Sequence, residues 1–294
     1  MSLIERAVDK LGAARPEPVP LRTASGPAPA VSPLRPPATS LPVAASPAPR
    51  PPVDIPLASL RARGFVSPDG VSSSIGQEFR VIKRPLLANA FGKGAQAVDN
   101  GRRVMVTSAF PGEGKSFCAI NLAMSIAAER DHQVLLVDAD VARPSIPREL
   151  GIETGPGLMD WLVDGAPAID DIVVSTTVEK LSLLPAGRRH EHATELLASD
   201  AMSRLLEQLS LRFPDRIIIF DSPPLLITTE ARVLASYMGQ IVMVVEAGST
   251  PRDAVKDALG TIGSPEVVGL ILNKSREVRA GSYAGYQGYG YGAK

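Results

Sequence analysis

Cysteine is almost missing from this chain: Cys118 stands alone, which excludes an intramolecular disulfide framework and fits a reducing compartment. Aromatic residues make up only 4% of the sequence. Net charge is absent too, 31 Lys and Arg against 31 Asp and Glu, so no whole-protein field draws in nucleic acid or anionic lipid. No apolar run approaches the ~18 residues that a membrane-spanning helix needs. The start, Met1-Ser-Leu-Ile-Glu-Arg, lacks the basic segment and apolar run of a secretory signal. These absences predict a soluble, cytoplasmic protein with no nucleic-acid partner and no membrane span.

What is present is unevenly spread. Of the 27 prolines, 14 fall between Arg15 and Pro56, and four of the five tyrosines follow Ser282. Residues 1–14 read as a short amphipathic helix: Ser2 and Glu5 have capping-box spacing, and Leu3, Ile4, Ala7, Val8 and Leu11 share a face. Residues 15–75 read as a Pro/Ala-rich disordered linker, with a transitional stretch from Leu57. The pattern then predicts a helix over 77–90, with Phe79 and Ile82 inward, Arg80, Lys83 and Arg84 outward, and Pro85 kinking or dividing it. From Arg103 on, apolar runs at 104–108, 134–137, 181–184, 217–220, 241–245 and 268–272 predict strands. Helical patterns at 116–130, 194–211, 229–237 and 251–262 lie between several of them. This alternation predicts an α/β fold, a mostly parallel sheet sandwiched by helices. Residues 76–274 form the catalytic domain in this reading, and 275–294 a Gly/Tyr tail of low complexity.

The segment Ala109-Phe-Pro-Gly-Glu-Gly-Lys-Ser116 follows a strand and opens a helix, the setting a P-loop requires. Gly112 and Gly114 let backbone N–H groups curl round an anion at a helix N-terminus. Lys115 can reach β- and γ-phosphates, and the Ser116 hydroxyl can ligate Mg²⁺. Pro111, Gly112, Glu113, Gly114, Lys115, Ser116 and Phe117 are therefore the candidate nucleotide-binding residues. Two further strands end in acids, LLVDAD in Asp138 and Asp140 and IIIFD in Asp221. Ligands of such sheets sit outside the carboxyl ends of the strands, so the three acids can converge on phosphate and metal. Asp138 and Asp221, with Ser116, are the candidate Mg²⁺ residues. One of Asp138 and Asp140 can face an incoming hydroxyl. Lys115, Asp138, Asp140 and Asp221 form the candidate catalytic set, with ATP and Mg²⁺ as substrate and cofactor.

SAFPGEGKS, VLLVDADVARPS and IIIFDSPP resemble the Walker A, A′ and B motifs of the bacterial tyrosine kinases, and the resemblance spans roughly 77–274. Within that family, MSLIERAVDKL, EFRVIKRPLLANAF and DADVARPS are most similar to the autokinases of exosortase-linked exopolysaccharide loci. The resemblance implies a P-loop NTPase fold of the partitioning-ATPase type, with Asn273 of GLILNK near the adenine. It also implies a protein-tyrosine autokinase acting in trans on tail tyrosines Tyr283, Tyr286, Tyr289 and Tyr291. The implied partners are a membrane polysaccharide chain-length determinant, which holds the kinase at the inner membrane, and further copies of the chain in a ring or dimer. The sequence departs from the family at Ala109 and Ala142. In the assembly helix, Gln77, Arg80 and Lys83 replace Glu-x-x-Arg-x-x-Arg, and Gly239 stands where an acid is common. Two other readings stay open: a positioning or partitioning ATPase, opposed by Phe110 in place of that class's early P-loop lysine, and a non-catalytic ATP-binding scaffold.

Overall fold

The alternating pattern builds a seven-stranded sheet in the computed structural model, which describes residues 51–69, 73–92, 98–153, 155–165, 168–263 and 267–275. The helix expected at 2–11, most of the expected linker and the tail tyrosines Tyr283, Tyr286, Tyr289 and Tyr291 lie outside the described residues. In chain order the elements begin α1 (Leu57–Ala62), α2 (Ser74–Phe91), β1 (Arg103–Ser108), α3 (Lys115–Ala127) and β2 (Gln133–Asp138). Four short helices and two strands come next: α4 (Ile146–Leu150), α5 (Leu158–Asp164), α6 (Ile169–Ile172), β3 (Val174–Ser175), β4 (Leu181–Leu184) and α7 (Ala193–Leu197). The chain closes with α8 (Asp200–Arg212), β5 (Arg216–Asp221), α9 (Thr229–Ala235), β6 (Gln240–Glu246), α10 (Arg252–Gly260) and β7 (Val267–Asn273).

The strand order is β3-β4-β2-β5-β1-β6-β7, parallel throughout except for the antiparallel β3–β4 edge. β1, β2 and β5 are buried from their second residue onward, which is why they read as unbroken apolar runs. Alternate residues feed two cores. Met105, Leu135, Val137, Ile218 and Phe220 face one, with α5, α8 and α9. Val104, Val106, Val134, Leu136, Ile217 and Ile219 face the other, with α2 and α3. Cys118 is among this second set, and burial, followed by the nearby Asp221 charge, pushes its thiol up to about 12. It stays protonated as a small core residue.

Three expectations need correction. The linker does not extend to residue 75: Val53 bridges to Thr176, α1 forms, and Ile55, Leu60, Phe65 and Val66 are buried against the second core. These four apolar side chains supply the burial that the proline tract before them lacks. α2 runs through Pro85 unbroken. Pro85 is exposed, so the carbonyl it leaves without a donor can turn to water. Lys83 points inward rather than out: it is 4% exposed, donates to Ser125 O at 2.5 Å and pairs with Glu129 at 2.6 Å. That pair holds α2 on α3 and holds the Glu129 carboxyl below the usual range. Gly239 also gains a reason, because a side chain there would collide with the backbone carbonyls of Asp99 and Asn100.

If residues 51–69 are part of the folded domain, Leu60→Ala should lower unfolding stability by about 3 kcal/mol. Denaturant titration checks this, and a change within ~0.5 kcal/mol would return the segment to the linker.

Candidate active site

β1 delivers the chain to the loop 109–114 and α3 takes it away, so the loop closes over a helix N-terminus. Gly112 and Gly114 sit at φ 86° and 95°, the left-handed region the loop needs. A side chain at Gly114 would collide with the Asn273 amide. The loop is braced from behind. Glu113 is 3% exposed, and its carboxylate accepts from Phe110 N–H at 2.7 Å and from the Thr250 hydroxyl. Asn273 Nδ2 donates to Glu113 O at 2.8 Å, and Lys274 Nζ to Gly112 O at 2.7 Å.

In front of the loop lies a cleft of about 680 Å³. Pro111, Gly112, Gly114, Lys115, Ser116 and Phe117 line it together with Asp140, as the sequence places them. Glu113 and Asn273 do not line it; they hold the loop's shape from the other side. Four basic or aromatic residues that the sequence reading left out of the site do line it: Arg63, Phe65, Arg143 and Arg148. No periodic signal announced the first two, because Ile55, Leu60 and Phe65 follow neither the helix nor the strand period.

The acids divide by environment. Asp140 Oδ2 pairs with Lys115 Nζ at 2.8 Å, and its Oδ1 accepts from Arg143 N–H at 3.1 Å. Asp138 Oδ2 accepts from the backbone N–H groups of Ser145 and Ile146, both at 2.9 Å, and so caps α4. Ser145 Oγ in turn donates to Ser116 Oγ at 2.9 Å. Asp221 faces Asp138 across the β2–β5 register. Asp138 Oδ1 and both Asp221 carboxylate oxygens are buried with no hydrogen bond of normal geometry. Burial pushes Asp138 up to about 7, against the pull of the Ile146 and Ser145 N–H groups. Burial pushes Asp221 to about 7 as well, opposed by the Lys115 charge and the Ser116 hydroxyl and reinforced by Asp138.

Uncompensated carboxylate oxygens beside a P-loop serine suit a small divalent cation that keeps several waters and phosphate oxygens as ligands. Among the described residues no group of three or more His, Cys, Asp or Glu could by itself hold a metal ion. The site thus defines a P-loop NTPase, and the ParA family, described as NUBPL iron-transfer P-loop NTPase, matches residues 100–224. YwqD of Bacillus subtilis, a tyrosine-protein kinase, is 32% identical over 190 residues, 64% of this chain and 78% of its own. The succinoglycan biosynthesis transport protein ExoP of Rhizobium meliloti is 34% identical over 198 residues, 65% of this chain but only 25% of ExoP. The solved VpsO kinase domain superposes with a TM-score of 0.55 at 29% identity, covering 69% of this chain and 100% of that one. The chain belongs to the bacterial tyrosine-protein kinases. No helix among the described residues is long and apolar enough to cross a membrane.

The raised carboxyls make a pH prediction. A folded-state value of about 7 for Asp138 and Asp221 lies above the ordinary 3.8, so the folded state binds more protons between those limits. Stability of the nucleotide-free chain should therefore fall as pH rises from about 4 to about 7 and level off above. Asp221→Asn should flatten that slope in thermal unfolding scans, and an unchanged slope would remove Asp221 from the account.

Proposed function

We propose that the chain is an ATP-dependent protein-tyrosine autokinase that phosphorylates Tyr283, Tyr286, Tyr289 and Tyr291 of a neighbouring copy. The observation that carries this reading is the Lys115–Asp140 pair on the wall of the cleft, with two fully buried carboxylates, Asp138 and Asp221, outside the cleft lining. Lys115 can exchange Asp140 for a nucleotide phosphate, since both bind it as a point charge. The exchange frees a carboxylate on the cleft wall at the moment a phosphoryl group is in place. Asp140 then accepts the proton of an entering tyrosine hydroxyl, which is neutral at pH 7 with a pKa of ~10. The tyrosine oxygen forms its bond to the γ-phosphorus as the bond to the β–γ bridging oxygen breaks, and ADP leaves. Ser116, Asp138 and Asp221 would hold Mg²⁺, which neutralises phosphate charge when bound. Glu113, Thr250 and Asn273 keep the loop's N–H groups aimed inward, the positioning on which phosphoryl transfer mostly depends.

The wider role follows the relatives. YwqD carries the name of a tyrosine kinase and ExoP that of a polysaccharide transport protein four times the span of the match. These names support a kinase that works beside polysaccharide export; in this reading a separate membrane chain-length determinant protein, which the names do not mention, holds it at the inner membrane. Four phosphates on one short tail would repel neighbouring copies and so regulate assembly. Lys83 is committed to Glu129, so an assembly through α2 would rest on other residues, Gln77 and Arg80 among them.

Incubation with MgATP, with and without the cytoplasmic segments of such a partner, followed by mass mapping of the tail, tests the proposal. Phosphate should appear on Tyr283–Tyr291, vanish in Lys115→Met, and form at least ~100-fold more slowly in Asp140→Asn. ATP turnover with an unmodified tail would point instead to a positioning ATPase.

A further inference from the structure

Residues 51–69 lie outside the stretch that the ParA family matches, yet they grip α3, which carries Ser116, and α4, whose first N–H groups bind Asp138. On the α3 side, Val66 N–H donates to Asn121 Oδ1 at 2.6 Å, and the Phe65 and Phe117 rings pack with centroids 4.9 Å apart. On the α4 side, Arg63 Nη1 donates to Glu149 O at 2.7 Å and Nη2 pairs with the Glu149 carboxylate. The Arg63 guanidinium also lies over the Phe65 ring, 5.2 Å from its centroid, so one side chain joins the two grips. Upstream, Val53 N–H donates to Ser175 O at 2.8 Å and Ile55 N–H to Thr177 Oγ1 at 3.0 Å, which fixes where the segment begins.

We propose that residues 51–69 form a strap that sets the spacing of Ser116 and Asp138, with Arg63 its positioning residue, acting through Glu149 on the Mg²⁺-linked part of nucleotide binding. The argument starts from α4, which has five residues. A helix that short does not hold itself, so outside anchors decide where it sits. Its N-terminal anchor is Asp138, bound to the Ser145 and Ile146 N–H groups. At its C-terminal end Leu150 is seated in the second core, and Arg63 adds the directional anchor, satisfying a last-turn carbonyl and a carboxylate with one planar fork. Arg148 also pairs with Glu149, at 3.2 Å, but it belongs to the same helix. Release of the Arg63 anchor lets α4 turn about the buried Leu150, and the turn moves the Ser145 contacts to Ser116 and Asp138. A group that orients ligands in this way changes metal affinity rather than phosphate-loop affinity.

The inference rests on the nucleotide reading of the cleft, and the test separates the two. A fluorescent ATP analogue is titrated into the full chain in excess Mg²⁺ and again in EDTA. Arg63→Ala should weaken binding roughly tenfold in Mg²⁺ and leave the EDTA value within about twofold. Arg63→Lys, which keeps the charge but not the fork, should give a smaller loss of the same kind and guards against a simple folding defect. The charge-reversed pair R63E/E149R should recover roughly threefold of what E149R alone loses. Equal losses with and without Mg²⁺, or no loss in either, would overturn the positioning role. A wild-type chain that binds under neither condition would overturn the nucleotide reading on which it rests.

Discussion

Asp138 and Asp221 stand side by side at the ends of adjoining strands, both fully buried, and the surrounding structure is organised by the cost of that placement. Two like charges removed from water must be protonated, paired or bound to a cation. Protein groups answer only part of the demand. Two backbone N–H groups satisfy one oxygen of Asp138, and the Lys115 charge acts on both acids while its own contact is spent on Asp140. The rest is left open toward Ser116, where a cation with phosphate ligands would meet it. Burial raises both carboxyls, so a divalent ion that binds them displaces protons, which links cation binding to pH.

The lysine of the cleft is arranged on the same plan. Lys115 is held by Asp140, which also accepts from Arg143 N–H. An incoming anion therefore meets a lysine that already has a partner, and must compete for it. The competition lowers affinity for any single phosphate, because a desolvated pair resists separation more than a solvated charge would. It favours a ligand with several phosphate charges and an accompanying metal, which can replace more than one of these contacts at once.

Much of this was legible in the sequence because six of the seven strands leave apolar runs; in the inner strands burial on both faces is the reason, whereas β7 is an edge strand whose Val268, Leu270 and Leu272 are exposed. β3 was not, since two residues become a strand only by pairing with β4. The helix expected over 194–211 divides at Ala198–Ser199 into α7 and α8, where periodicity carried no sign of the break. The P-loop and the three acids were legible as chemistry, but not which way each side chain turns. Glu113 in the loop and Asn273 at the end of β7 brace the loop from outside the cleft, and Asp138 serves as a helix cap as well as a candidate ligand. Lys83 shows the same gap, because amphipathic spacing assigns a lysine to water and cannot see the Glu129 carboxylate and Ser125 carbonyl that receive it inside.

The segment 51–69 was hidden for a different reason. Composition averages over a window, and a proline tract beside a few apolar anchors averages to disorder. The anchors Ile55, Leu60 and Phe65 are five apart, a spacing that matches neither the helix nor the strand period. Each enters the core on its own, and the backbone between them is held by single hydrogen bonds to Thr177 and Asn121 rather than by a ladder. A segment attached in this way can be positioned accurately while most of its hydrogen bonding stays local or solvated, so it detaches more readily than a strand would. Its attachment points are α3, α4 and the loop before β4, the parts of the fold that surround the buried carboxylates. Any force on the chain ahead of residue 51 therefore meets the β3 edge of the sheet at Val53 before it reaches Arg63, Phe65 and the spacing of the cation site.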